Sequence, residues 1–281
     1  MKNILIPTDF SENSWNAIKY GMELFKKTKC TFYINHINPV ASYAGGESAM
    51  FISPEILEDT ILKESKEQLQ KLLEDIERLP FNTKHTFHTM AFYGFFTDHL
   101  QQEVKDKNID LIIMGTKGAS GLKAVSIGSN TGNVITKVQC SILAIPENAE
   151  YRRPQEIGFP TDFQLGYDLK VLANLKDIVL MQNANLRFLY VSLNGEDLDK
   201  LQIKNKEVLA NYFEETEYSF HKITGEKLET SIRCFTESRD LDMLVMVTKN
   251  LNFLERIFFR PTVEKISYET TIPLLVIHEA K

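Results

Sequence analysis

Between Leu111 and Ser129 an apolar run stops at a glycine, and glycines then recur as G-x2-G-x9-G-S through Gly115, Gly118, Gly128 and Ser129. Glycine lets a backbone take positive φ and come close to a ligand. Residues 111 to 114 read as a buried strand, and the polar, helix-compatible SNTGNVITKV after Gly128 reads as a helix start. A strand, a glycine-rich loop and a helix N-terminus make an anion site, because first-turn N–H groups lack intrahelical partners and the helix dipole favours negative charge. Phosphate is the first ligand chemistry to consider.

Other reactive residues say less. There is no G-x4-G-K-S/T loop, so the lysine and magnesium-binding hydroxyl of the common ATPases are missing. Asp9 and Glu12 are the nearby carboxylates, and neither is marked as a fixed general base. The reading is of a binding protein, with weak hydrolytic activity at most. Asp9 also suits a local role, capping the helix expected to begin near Ser11 to Ser14. His85 and His88 sit three apart in an expected strand, which turns them to opposite faces and disfavours a metal site. His36 is assigned no chemical role. The glycines have a plainer reading too, in which they only make tight turns and close helix packing.

The elements that must position these residues alternate. Strands are expected at 3 to 7, 31 to 37, 84 to 91, 110 to 115 and 141 to 145, with helical patterns between them. The clearest helix is 54 to 79, where Ser53 can cap, Pro54 suits the first position and Ile56, Leu57, Ile61, Leu69, Leu72, Leu73 and Ile76 recur at helical spacing. Such alternation calls for a mostly parallel sheet with helices on both faces, and ligands sit beyond the C-terminal strand ends where the strand order reverses. In the flavodoxin-like order 3-2-1-4-5, Asp9 and the glycine loop would face one crevice.

The chain is one module used twice. NILIPTDF at 3 to 10 returns as EIGFPTDF at 156 to 163, and the segment from Met114 aligns without gaps on the segment from Met246. The second copy is shorter by 21 residues between these anchors, a deletion expected around NPVASYAGGESAMFIS, and the linker is expected near ENAEYRRPQ. The 281 residues suit two domains of ordinary size, 1-148 and 153-281. A net charge of -6 implies no broad basic surface for nucleic acid, and no apolar stretch approaches the length of a membrane span. The first strand begins at Asn3, so no signal peptide is expected. Cys30, Cys140 and Cys234 are scattered and odd in number, which suits buried thiols in a reducing, cytoplasmic compartment.

The opening ILIPTDFSENSWNAI, the second strand ending at His36-Ile37, the aspartate in DLIIMGT and the full glycine loop resemble the universal stress protein family, and the whole chain resembles its tandem form. The resemblance implies an α/β fold of two flavodoxin-like, Rossmann-like domains with five-stranded parallel sheets, paired as a pseudo-dimer through ILAIP at 142 to 146 and LLVIH at 274 to 278. It implies ATP or a related adenine nucleotide as ligand, alone or with Mg, bound by Pro7, Thr8, Asp9, Ile37, Met114, Gly115, Gly118, Gly128, Ser129 and Asn130. Asp9 would lie near the ribose and base, and the backbone of Ile37 would read the adenine edge. The glycines and Ser129 would hold the phosphates, with Lys117 or Lys123 adding countercharge. In the second half Val247, Asn250, Arg260 and Pro261 replace Gly115, Gly118, Gly128 and Ser129. Branched Val247 resists positive φ and Pro261 removes an N–H, so no ATP is expected there; Phe258 and Phe259 suggest an apolar plug or contact surface. The expected role is a cytoplasmic stress sensor or switch that presents a surface to a protein partner. The alternatives are a nucleotide-independent interaction protein and a slow ATP hydrolase, and association of two chains into a homodimer stays open.

Overall fold

The computed structural model describes residues 1–39, 54–116, 129–164, 169–193, 195–225, 227–248 and 272–278, with backbone alone at 54–61 and 129. In the first half β1 (Lys2–Pro7), α1 (Glu12–Leu24), β2 (Cys30–Pro39), α2 (Pro54–Glu77), β3 (His85–Gly94), α3 (Phe96–Asp106), β4 (Leu111–Gly115), α4 (Ser129–Lys137) and β5 (Ile142–Ile145) alternate as expected. The second half repeats the pattern with β6 (Glu156–Pro160), α5 (Ala173–Gln182), β7 (Asn185–Ser192), α6 (Lys200–Tyr212), β8 (Tyr218–Thr224), α7 (Leu228–Ser238), β9 (Met243–Val247) and β10 (Leu274–Ile277). Pro54 opens α2, where its missing N–H costs nothing; Ser53, the expected cap, lies outside the described residues.

All ten strands join one sheet in the order β3-β2-β1-β4-β5-β10-β9-β6-β7-β8. Each half therefore has the expected 3-2-1-4-5 order, parallel within itself. The halves meet where β10 runs antiparallel to β5, with Leu274 opposite Ala144, Leu275 opposite Leu143 and Val276 opposite Ile142. These short strands are wholly buried, which is why they read as continuous apolar runs rather than alternating ones.

Two apolar layers cover the sheet, and each draws on both halves. One packs Ile18, Leu24 and Leu69 with Leu175, Ile178 and Leu209, and the other packs Leu100, Val134 and Ile135 with Ile232 and Phe235. The linker belongs to this packing: the Tyr151 ring meets Tyr20 edge-on at 5.1 Å, and Asn16 donates to the Ala149 carbonyl at 2.8 Å. Across the halves, Lys2 pairs with Asp177 at 2.8 Å and Gln182 donates to the Leu24 carbonyl at 2.7 Å.

The place of the deletion needs correction. The helix after the second strand runs 24 residues in α2 but 13 in α6. The shortening is thus shared: the connection from Ser192 to Lys200 is shorter than that from Pro39 to Pro54, as expected, and the helix after it is shorter too. A surface helix sheds whole turns without disturbing the strands it covers.

Candidate functional site

The chain leaves β1 on one side to form β2 and β3, then returns on the other to form β4 and β5, so the strand order reverses between β1 and β4. Ile4 and Leu5 pair with Leu111 and Ile112, which sets the C-terminal ends of the two strands side by side. Pro7 closes β1 and removes a donor as the strand ends. The turn beyond it is built from side-chain bonds. Thr8 is buried, its hydroxyl accepts from the Phe10 N–H at 3.0 Å, and it lies 2.9 Å from the Ser14 hydroxyl. Phe10 takes a left-handed φ of 61°.

Asp9 Oδ1 accepts from both the N–H and the hydroxyl of Ser11, at 3.1 and 2.6 Å. Ser11 in turn caps α1, accepting from the Ser14 N–H at 3.2 Å. The expectation that Asp9 itself caps the helix is corrected: Ser11 is the cap and Asp9 braces it. A carboxylate two residues before the cap closes an Asx turn, a shape that suits Asp at this position.

Gly115 ends β4 beside this turn. A Cβ there would lie 2.6 Å from Cγ of the buried Asn13 on α1. Its φ lies outside the left-handed region, so close helix packing rather than unusual dihedrals requires glycine here. The Gly115 carbonyl accepts from the Thr131 hydroxyl at 2.8 Å, which ties the first turn of α4 to the end of β4. Ser129 begins α4 and Asn130 is exposed in its first turn. The first turns differ in charge: Glu12 offsets the dipole of α1, whereas α4 has no acidic residue in its first turn. The positive end of α4 is therefore the place for an anion. Gly118, Gly128, Lys117 and Lys123 lie outside the described residues.

Ile37 stands on β2, two residues past Asn35, the partner of Pro7. The Asn35 carbonyl accepts from the Thr8 N–H at 2.9 Å. Backbone groups alternate sides along a strand, so Ile37 also turns its N–H and C=O toward β1, but beyond the last paired residue of that strand. These two groups edge the crevice. Met114 is buried in the same apolar layer as Ile37. Beneath them, the fully buried Asn35 donates to Glu103 of α3 at 3.1 Å, and its Oδ1 has no hydrogen-bond partner. His36 donates from Nδ1 to the Thr8 carbonyl at 2.7 Å and packs on Phe10 at 4.4 Å between centroids, a bracing contact. His85 and His88 do point to opposite faces: His85 packs on Phe32 and His88 on Tyr33.

A model of the universal stress protein family matches residues 1–146. The chain belongs to the universal stress protein family. Among curated members, a universal stress protein of Methanocaldococcus jannaschii is 27% identical over 146 residues, covering 51% of this chain and 81% of the relative. Universal stress protein A homolog 1 of Coxiella burnetii is 30% identical over 148 residues, covering 51% of this chain and 95% of the relative. For the whole chain, the crystal structure of a universal stress protein from Archaeoglobus fulgidus aligns with a TM-score of 0.73 at 16% identity, covering 99% of this chain and 98% of that one. That likeness concerns the fold.

Within the universal stress protein sheet the two crevices differ. The second PTDF turn copies the first: Thr161 accepts from the Phe163 N–H, Asp162 from the Gln164 N–H, and Phe163 has a φ of 56°. Yet α6 reaches over it. Gln202 donates to the Asp162 carbonyl at 2.8 Å and Asn205 to the Phe163 carbonyl at 2.7 Å. Leu189 and Phe235 stand where the first half has Asn35 and Glu103, both in the apolar layer. Asn250, Phe258, Phe259, Arg260 and Pro261 lie outside the described residues.

The sequence reading missed Asn13, Thr131 and the Asn35–Glu103 pair. Thr131 had a usable signal, a hydroxyl in the first turn after the glycine loop. The other three are ordinary in sequence, and only the approach of α1 and α3 to the sheet gives them partners.

Proposed function

We propose that the first unit, residues 1-148, binds ATP or a related adenine nucleotide, and that the second, 153-281, is a degenerate copy that binds none. One observation carries the reading: the Asp9 turn, the backbone edge of Ile37, Gly115 and the N-terminus of α4, whose first turn carries no acidic residue, converge where the strand order reverses. The donor set fits the ligand. A carboxylate such as that of Asp9 accepts hydrogen bonds from hydroxyls like those of a ribose, the Ile37 N–H and C=O match an amino-purine edge, and the first-turn N–H groups of α4 suit phosphate. Gly118, Gly128, Ser129 and Asn130 would complete the phosphate contacts by the family pattern. In the second half, Gln202 and Asn205 supply the PTDF turn with partners from its own chain, which supports a silent site.

Such a protein acts as a stress-response switch: nucleotide binding changes a surface read by a partner. No helix among the described residues is long and apolar enough to cross a membrane, in keeping with the cytoplasmic location proposed here. The test is isothermal titration of nucleotide-stripped protein with ATP, beside Gly118→Glu, which places a carboxylate against the phosphates. One site per chain, lost in the variant, is the expected result; unchanged affinity in the variant sinks the assignment.

One observation favours a second reading, a nucleotide-independent interaction protein: Gly115 is required by Asn13 whether or not a ligand binds. That reading predicts neither heat nor a shift in melting temperature with ATP.

A further inference from the structure

The sheet has two outer strands, β3 and β8, and they are not protected alike. Natural edge strands carry charges, proline or bulges that discourage pairing with another chain. β8 follows this rule, since YSFHKIT carries Lys222, paired with Asp197 at 2.6 Å. β3 does not: HTFHTMAFYG is ten residues long with no charged residue and no proline. It is rich in threonine and aromatic residues, which favour strand pairing.

The register says which backbone groups face outward. Cys30 lies opposite His85, and its N–H bonds the Lys84 carbonyl at 2.9 Å. Even-numbered residues of β3 therefore bond β2, and odd-numbered ones turn their N–H and C=O to the open side. The His85 N–H is taken by Asn82 and the Tyr93 carbonyl faces the His99 ring. Among the described residues, Phe87, Thr89 and Ala91 remain as a run of outward donors and acceptors. At the two ends of this strand stand two of the most exposed aromatic side chains described, Phe81 at 91% and Phe95 at 68%.

We propose that this edge is a self-association surface, on which β3 of a second copy pairs antiparallel and continues the sheet across two molecules. A two-fold axis through the strand's middle brings the Phe81 end of one copy to the Phe95 end of the other, so both exposed rings gain apolar neighbours from one symmetric contact. The strand bears no charge that would select a charged foreign segment or repel its own copy. The mode of pairing is already used within the chain, where β5 and β10 extend the sheet antiparallel. That pairing consumes the β5 and β10 edges and leaves β3 as the uncharged one.

The experiment is sedimentation velocity of the 281-residue chain over a wide concentration range, with hydrogen exchange read on the β3 amides. Two variants accompany it. Thr89→Pro deletes an outward N–H and leaves the β2 bonds intact, as edge strands allow; Phe81→Asp changes a side chain outside the ladder. The expected result is a concentration-dependent dimer in which the Phe87, Thr89 and Ala91 amides gain protection. Thr89→Pro should be monomeric, and Phe81→Asp should dissociate about tenfold more readily, equivalent to about 1.4 kcal/mol. Should Thr89→Pro fail to fold by circular dichroism, Phe81→Asp decides alone. A monomer at every concentration overturns the proposal, as does a dimer whose Phe87, Thr89 and Ala91 amides exchange as they do in the monomer.

Discussion

Gly115 and Asn13 act as one unit. The glycine exists because the Asn13 side chain crosses its Cα, and the second half changes both members: Val247 replaces the glycine, and by the repeat offset Gly166 aligns with Asn13. Gly115→Ala alone should therefore destabilise the fold by about 1–3 kcal/mol, since a buried neighbour must shift to admit the methyl. Adding Asn13→Gly should restore most of that loss in a denaturant titration. If the double variant is no more stable than the single one, the contact with Asn13 is not what demands the glycine. Asp9 serves the local structure through Oδ1, which accepts from both the N–H and the hydroxyl of Ser11.

Among the elements, α3 is attached to β2 differently from its counterpart α7 on β7. Glu103 and Asn35 join them by a buried polar contact, whereas Leu189 and Phe235 fill the same layer with apolar bulk. A buried amide with an unpaired oxygen is expensive, and apolar replacement of both partners is often neutral or stabilising. Glu103→Leu should cost about 1–3 kcal/mol by stranding Asn35, while Glu103→Phe with Asn35→Leu should recover most of it. Denaturant midpoints of the three proteins decide the matter. Equal loss in single and double variants would mean that α3 is held by its apolar contacts alone. The costly version stands in the first half, under Ile37 and Pro7; the second half, where Gln202 and Asn205 bond the PTDF turn, has the cheaper one.

In the whole molecule, the antiparallel seam makes stability a joint property of both halves. His278, just past β10, sits against the backbone of Ile135 in α4, so the last strand of the second half touches the helix proposed to hold phosphate in the first. Burial pushes the His278 pKa down to about 4, against a smaller upward pull from the Ile135 backbone. The folded protein thus holds a neutral ring that the unfolded chain would protonate. Above its ordinary value the group leaves stability unchanged; as pH falls from about 6.5 to about 4 it destabilises, by at most about 3 kcal/mol, and below that the loss levels off. Replacing His278 with Gln should flatten this stretch of the stability curve. An unchanged slope would place the acid sensitivity in other groups.

The alternating elements, the repeat and the PTDF turn were legible in the amino-acid order, because strand and helix periodicities and turn chemistry are local properties. Strand bounds fell within a few residues of those expected, and so did the start of α1. Tertiary structure alone decided three things. It divided the deletion between a helix and the connection before it, since the two copies share no pattern there. It supplied Gly115 with Asn13 and Asn35 with Glu103, contacts between residues far apart in the chain that no local spacing encodes. The joining of the two units through β5 and β10 was already expected from the family resemblance, but the structure set β3 and β8 as the outer strands, one uncharged and one guarded, because which strand lies outermost depends on the strand order of the assembled sheet.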